Sequence, residues 1–375
     1  MINRAESAAW GAVIVSLLLV GACATPADPG QSTAVSPTRY IAVGSGGRSV
    51  WAVSTDGLAV SGDQSTSWMK TALPVGVAPQ QVLDAQSNGQ VTFLATTDGH
   101  VLSLYRRSVA SAWVEYPIDI TWPKNAPVGG PPQRVVISMA TDDVVTIVAS
   151  VQLTMTESAI AFFESSDGGA NFAEKTNLVT LPWSSTAFAS ASNGVVMGGA
   201  AMNRAFFTTD GGATWSRSTL GDPAVGNSAH FGSPIVNDKT FEIPVFQFSD
   251  DGDVSVTLYQ SDDGGARFDP IAARPLTIPS QYQKSDYVAI GGQGITRWVL
   301  PTGGGVLYVT ADDGKSWQEI SSKSLPANVL SVAVSSSQDG TIVASRTGCT
   351  AYKSECSSTS AVYSTVDGGT TWTED

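Results

Sequence analysis

Few residues in this chain are placed to do chemistry, and most of those that are recur in a fixed pattern. The 375-residue sequence has three cysteines, two histidines and 33 acidic against 20 basic side chains, for a formal net charge of −13. A Ser-His-Asp relay needs a histidine as its base. His100 falls in an expected turn, and His230 is too close to Ser228 along one expected strand for hydroxyl and imidazole to meet. No Gly-x-Ser-x-Gly elbow, zinc-ligand cluster or phosphate-binding loop is present. The glycine runs at 44–47 and 303–305 read as turns between strands. Asp250, Asp251 and Asp253 offer oxygen ligands of the kind calcium takes, but their setting reads as an exposed hairpin turn. The expectation is therefore no metal and no cofactor. The acidic balance disfavours nucleic acid, because a phosphate backbone calls for a basic surface.

The cysteines point to a compartment. Arg4 precedes a run from Ala8 to Ala22 that is apolar except for Ser16 and ends directly at Cys23. A transmembrane helix needs about 20 apolar residues, so this shorter run fits the apolar region of a signal peptide. Only Cys349 and Cys356 remain, close together in one polar stretch, and in an oxidising compartment they are expected to pair. Residues 24–38, rich in Pro, Ser, Thr and Ala, read as a flexible tether.

Six aspartates sit in one repeated octapeptide, Ser/Thr-x-Asp-x-Gly-x-x-aromatic, each preceded by a strand-like apolar run. They are Asp167, Asp210, Asp263, Asp312, Asp367 and a looser copy at Asp63, closed respectively by Phe172, Trp215, Phe268, Trp317, Trp372 and Trp68. In a hairpin turn the carboxylate accepts hydrogen bonds from turn amides, glycine supplies positive φ, and the ring anchors the outgoing strand. The separation between Asp63 and Asp167 is about twice the others, which predicts a decayed turn at about Ser108 with Trp113 as its aromatic. Seven units of about 50 residues match the scale of a four-stranded propeller blade. Strands are expected at Val144–Val151, Ala159–Phe163, Thr296–Leu300 and Val306–Thr310, and no stretch of the mature chain has a helical period. Little chain follows Trp372, so residues near 31–38 are expected to close the ring as an outer strand.

The octapeptide resembles the Asp box, or BNR repeat, of the sialidase-like propeller superfamily, and Val20-Gly21-Ala22-Cys23 resembles the lipobox of bacterial lipoproteins. The alternative for that segment is an ordinary signal peptide or uncleaved anchor with a chance cysteine. The first resemblance implies an all-β, seven-bladed propeller of four-stranded antiparallel blades over residues 39–375. The second implies a signal peptide over 1–22, lipidation of Cys23 and an extracytoplasmic, membrane-anchored protein, expected as a monomer. In Asp-box proteins the repeated aspartates lie on the face away from the binding site, which makes them structural here. The Phe/Tyr-Arg-Ile-Pro motif of sialidases is absent, its nearest segment being Thr38–Ala42, and only Arg134, Arg204 and Arg297 lie near strands that could hold an arginine triad.

The expected role is a non-catalytic protein- or glycan-binding or assembly module. The alternative is a surface glycoside hydrolase with paired carboxylates at the ring centre. Trp122, Arg274, Tyr282, Tyr352 and Lys353 fall on connections expected on the face opposite the aspartate turns and are the candidate ligand contacts. The anchor is directly testable: Cys23→Ser is expected to release the protein from membranes or block its processing, as read by fractionation and apparent mass.

Overall fold

A computed structural model describes residues 42–374 apart from 47–48, 55–56, 62–67, 99–100, 110, 121–131, 133, 142, 155–156, 181–182, 199–202, 222–228, 238, 273, 284–287 and 350–355. The described residues form seven sheets, numbered 1 to 7 along the chain, spanning 42–71, 82–118, 134–180, 183–217, 219–278, 288–321 and 329–374. Six have four antiparallel strands in chain order. The first strand of each sheet packs on the first strands of its neighbours, and sheet 7 packs back onto sheet 1 through Val329–Val334 against Ala42–Gly46 and Ser49–Ser54. First strands are therefore inner and fourth strands outer, and the architecture is a β-propeller.

Its apolar core is divided into seven clusters among the described residues, one in each gap between adjacent sheets. Both faces of each sheet are thus covered, which explains why the middle strands read as continuous apolar runs rather than alternating ones. Thr146 to Val151 and Ala159 to Phe163, on adjacent strands of sheet 3, are buried without a break. The expected strands appear as Val145–Thr154, Glu157–Ser165, Thr296–Pro301 and Val306–Thr310. Among the described residues, the gap between sheets 7 and 1 holds Ala52, Val343 and Val362, with Ala333 packed against them.

Four-stranded antiparallel geometry holds in six sheets but not in sheet 5, which has seven strands. Its inner position is shared by Ala229–Phe231 and Ile235–Asn237, and its outer position by Arg267–Pro270 and Leu276–Ile278. Pro234 and Pro275, each just ahead of the second piece, have no amide to donate to a ladder. A further strand, Thr219–Leu220, runs parallel to Arg267–Pro270 at the outer edge. A second difference concerns Gly44 and Gly46, expected in a turn but lying in the inner strand Ala42–Gly46. The expected closing strand at 31–38 lies outside the described residues; Thr373–Glu374 pairs with Ser364 and Tyr363 as the outer strand of sheet 7.

The octapeptides join third to fourth strands. Four of the five described turns also dock on the turn between first and second strands of their own sheet: the amides of Gly168, Gly211, Asp313 and Gly368 donate to the carbonyls of Asp143, Ser192, Ile295 and Gln338 at 2.8–3.0 Å. The decayed turn after Ser108 keeps this bond, Val109 N–H to Gln90 O at 3.0 Å, although it has lost its aspartate. Its aromatic, Trp113, donates from Nε1 to Ala72 O at 2.9 Å and thereby ties sheet 2 to sheet 1.

In three of the turns the second glycine meets two requirements at once. Gly169 has φ +84°, and a Cβ there would lie 2.5 Å from the buried Phe93 ring of sheet 2. Gly265 and Gly369 stand in the same relation to Val195 and Leu307 of the preceding sheets. Gly305 shares the positive φ, +78°, with nothing near its missing Cβ. Gly305→Ala is therefore expected to lower stability by roughly 1–2 kcal/mol from backbone strain alone. Gly169→Ala should lose about 1–3 kcal/mol more from overpacking, the two compared by urea midpoints.

Candidate functional site

The repeated aspartates are the most numerous potential acids, and their hydrogen bonds define what they can do. In sheet 4 the Thr208 hydroxyl donates to Asp210 Oδ1 at 2.8 Å and accepts the Gly212 amide at 2.8 Å. Asp210 Oδ1 also accepts the Thr214 amide at 2.8 Å, and Oδ2 accepts the Thr214 hydroxyl at 2.6 Å. Ser165, Thr310 and Thr365 act as Thr208 does, with Asn171, Ser316 and Thr371 in the place of Thr214. At Asp263 the fourth partner differs: Arg267 gives its amide at 3.0 Å but turns its guanidinium to Asp269.

These bonds favour the ionised carboxylate. The Asn171 side chain, with other donors, holds Asp167 down to about 2, and the Ser316 hydroxyl does the same for Asp312. Asp210 and Asp367 are lowered for the same reason, led by Thr214 and Thr371. At Asp263 burial pushes up, and the Arg267 amide and Ser261 hydroxyl more than offset it. A general acid at neutral pH requires a raised value. The turns have the reverse: their aspartates are held ionised as acceptors for the turn's own donors.

The closing rings wedge between sheets. Trp215 packs on Phe162 of sheet 3 at 4.6 Å between centroids, and Trp372 packs edge-on against Trp298 of sheet 6 at 6.0 Å. Phe172, Phe268 and Trp317 join the clusters of sheets 2 and 3, 4 and 5, and 5 and 6. Trp68 opens the outer strand of sheet 1, Trp68–Thr71, while Asp63 lies outside the described residues.

Two buried carboxyls stand apart from this repeat. Glu242, in the second strand of sheet 5, accepts Arg297 Nε at 2.8 Å and also Arg297 Nη2, joining sheets 5 and 6. Arg297 is fully buried, and its Nη1 donates to Gly294 O and Thr296 O at 2.6 and 2.7 Å. Asp313 Oδ1 stands 3.5 Å from Nη2. Asp313 occupies the position of Gly168, Gly211 and Gly368 and tolerates φ +57°, which places a second carboxylate beside the guanidinium. Burial raises Glu242 against the pull of Arg297. Pattern reading missed both partners, because one lies 55 residues away and the other stands in a glycine slot. The sole signal was that non-glycine at a left-handed position.

Asp84, on the inner strand Val82–Ser87, accepts Trp51 Nε1 of sheet 1 at 2.8 Å and the Ile137 amide of sheet 3 at 2.7 Å. The two buried carboxyls thus belong to sheets 2 and 5 and are each engaged in joining sheets. The three candidate arginines do not converge as an anion clamp: Arg134 starts an inner strand, Arg204 starts a third strand, and Arg297 is buried in the ion pair above.

The face opposite the aspartate turns is built from connections of differing length. Residues 72–81, 249–253, 302–305 and 322–328 are described there. Tyr282 is half-buried against the cluster between sheets 5 and 6, and its carbonyl accepts the Gly303 amide at 2.7 Å, so it pins its own loop. Arg274 is exposed between the two pieces of the outer strand of sheet 5, at the rim rather than on the loop face. Trp122, Tyr352 and Lys353 lie outside the described residues. Cys349 stands opposite Cys356 in the register at the end of the ten-residue strands Gly340–Cys349 and Cys356–Thr365. Asp250 to Asp253 form a hairpin turn, closed by Gly252 N–H to Ser249 O at 3.0 Å and tied by Asp253 to the Ser280 amide at 2.9 Å. His230 is an inner-strand residue packed edge-on against Phe248 at 5.2 Å.

No known family profile and no curated protein sequence matches the chain. Solved structures with a similar fold include YCF48 bound to D1 peptide, 14% identical over 79% of this chain and 80% of that one, with a TM-score of 0.44. Others are the GH74 xyloglucanase from Xanthomonas campestris, 12% identical over 89% and 68%, TM-score 0.48, and the WD40 domain of SCAP from fission yeast, 10% identical over 89% and 91%, TM-score 0.49. At these scores the strand pairing and the seven interfaces remain the basis for the fold.

Removing Arg297 leaves two carboxylates without a cation in a closed gap, and such a loss costs about 3–5 kcal/mol. Arg297→Met is expected to destabilise the protein by that order in urea unfolding. Glu242→Leu added to it should recover much of the loss.

Proposed function

We propose that this chain is a seven-bladed Asp-box propeller, each sheet one blade, that recognises an envelope protein or glycan through its loop face and catalyses no reaction. The carrying observation is the contrast between faces. One repeats a single saturated turn geometry, while the other is built of unlike connections, and binding residues concentrate on variable loops held by a rigid scaffold. The engagement of Asp84 and Glu242 between sheets supports the same reading, since glycoside hydrolysis calls for two carboxyl groups about 5–10 Å apart across a substrate.

The address completes the proposal: lipidated at Cys23, tethered by residues 24–38, held outside the cytoplasmic membrane as a monomer. The register that sets Cys349 opposite Cys356 supports a disulfide at the tip of the sheet 7 hairpin.

The test is binding of the purified chain to glycan libraries and to proteins extracted from its own envelope. Replacing residues 322–328 or 249–253 with Gly/Ser segments is expected to weaken capture at least tenfold, and Asp210→Asn on the other face to leave it unchanged. Hydrolysis of a glycoside by the purified chain, lost when one carboxylate near the ring axis becomes Ala, overturns the reading.

A further inference from the structure

Asp84 is unlike every other carboxylate described. It lies on the inner strand of sheet 2 beside the register shift between Val82 and Asp84, and is 4% exposed. Its two oxygens reach opposite ways, Oδ1 to the Trp51 indole of sheet 1 at 2.8 Å and Oδ2 to the Ile137 amide of sheet 3 at 2.7 Å. Ile137 is on an inner strand whose other edge is paired within its own sheet. Ser138 accepts the Phe188 amide of sheet 4 at 3.3 Å in the same manner, but its hydroxyl is neutral. Among the described residues, Asp84 is the carboxylate that accepts the inner-strand amide of a neighbouring sheet.

We propose that Asp84 is a proton-binding site that makes the cohesion of sheets 1, 2 and 3 depend on pH. The strands packed on it are Ala42–Gly46, Ser49–Ser54 and Gly57–Ser61 of sheet 1, Val91–Thr97 of its own sheet and Arg134–Met139 of sheet 3. Arg134 is the one charged residue on them, and residues 72–81, which lead into the strand, have none. Tyr105 is the other titratable group packed on this cluster, and burial raises it too. These N–H donors and an exposed arginine replace less hydration than the carboxylate gives up. Burial accordingly pushes Asp84 up to about 7, against the pull of the Ile137 amide, the Trp51 indole, the Ala85 amide and Arg134.

The sign follows from linkage. A folded-state value raised above the usual 3.8 means that Asp84 contributes its full stability below about pH 4, and that this is lost as pH rises through about 7. The ring is therefore tightest on the acid side. Ionisation favours opening at sheets 1 to 3, where Leu73 and Val77 of the 72–81 connection pack on the shared cluster and Val75 projects fully exposed between them. The inference does not depend on what the loop face binds.

The indole N–H of Trp51 is a built-in reporter. In the full chain with labelled tryptophan, one of the ten indole resonances, assigned by its absence in Trp51→Phe, is expected to shift between pH 5 and 9 with a midpoint near 7. Asp84→Asn should abolish that shift and flatten the fall of Tm over the same range. A Trp51 resonance that does not move between pH 5 and 9, or a midpoint below 5, overturns the proposal. Should Asp84→Asn fail to fold, the wild-type Trp51 titration decides by itself.

Discussion

The structure depends on one constraint: every sheet must bury both faces against its neighbours, because no central core exists to do it for them. The seven apolar clusters lie between sheets and join them in a closed cycle. A four-stranded sheet covered on one side exposes a row of Val, Ile and Phe side chains, so stability is a property of the ring rather than of any unit in it. Ala52, Val343 and Val362 lie in the gap where sheet 7 packs on sheet 1.

The aspartate turn serves that constraint at the points of closest approach. Its carboxylate and hydroxyl accept most of the turn's own donors, and the neighbouring turn between first and second strands accepts another. Its second glycine removes a side chain where the turn presses on the preceding sheet, and its aromatic fills the gap just beyond. The turn after Ser108 shows which parts are separable. It lacks the aspartate, yet it keeps the docking bond from Val109 to Gln90 and the ring of Trp113.

Burial sorts the carboxylates into different roles. Those in the turns are exposed and supplied with donors, so they stay ionised well below the ordinary range. Glu242 is buried with a guanidinium, and Asp84 is buried with two neutral N–H donors, so burial raises both. Arg297, Glu242 and Asp313 belong to the gap between sheets 5 and 6, and Asp84 to the gaps on either side of sheet 2.

Repeat period, strand positions and the decayed turn were legible in the sequence because they are local: an octapeptide carries its own hydrogen-bond partners within five residues, and buried strands announce themselves as apolar runs. The split inner and outer strands of sheet 5 were less legible, since Pro234 and Pro275 act on pairings made across the sheet. The rim position of Arg274 and the partners of Arg297 were not legible for the same reason, as position along a strand does not say which neighbour a side chain will meet. By itself the sequence determined the turn chemistry and an all-β chain of about seven units. Only the tertiary structure decided which carboxylates are buried and what they join, because Asp84, Trp51 and Ile137 become neighbours only when three sheets close around them.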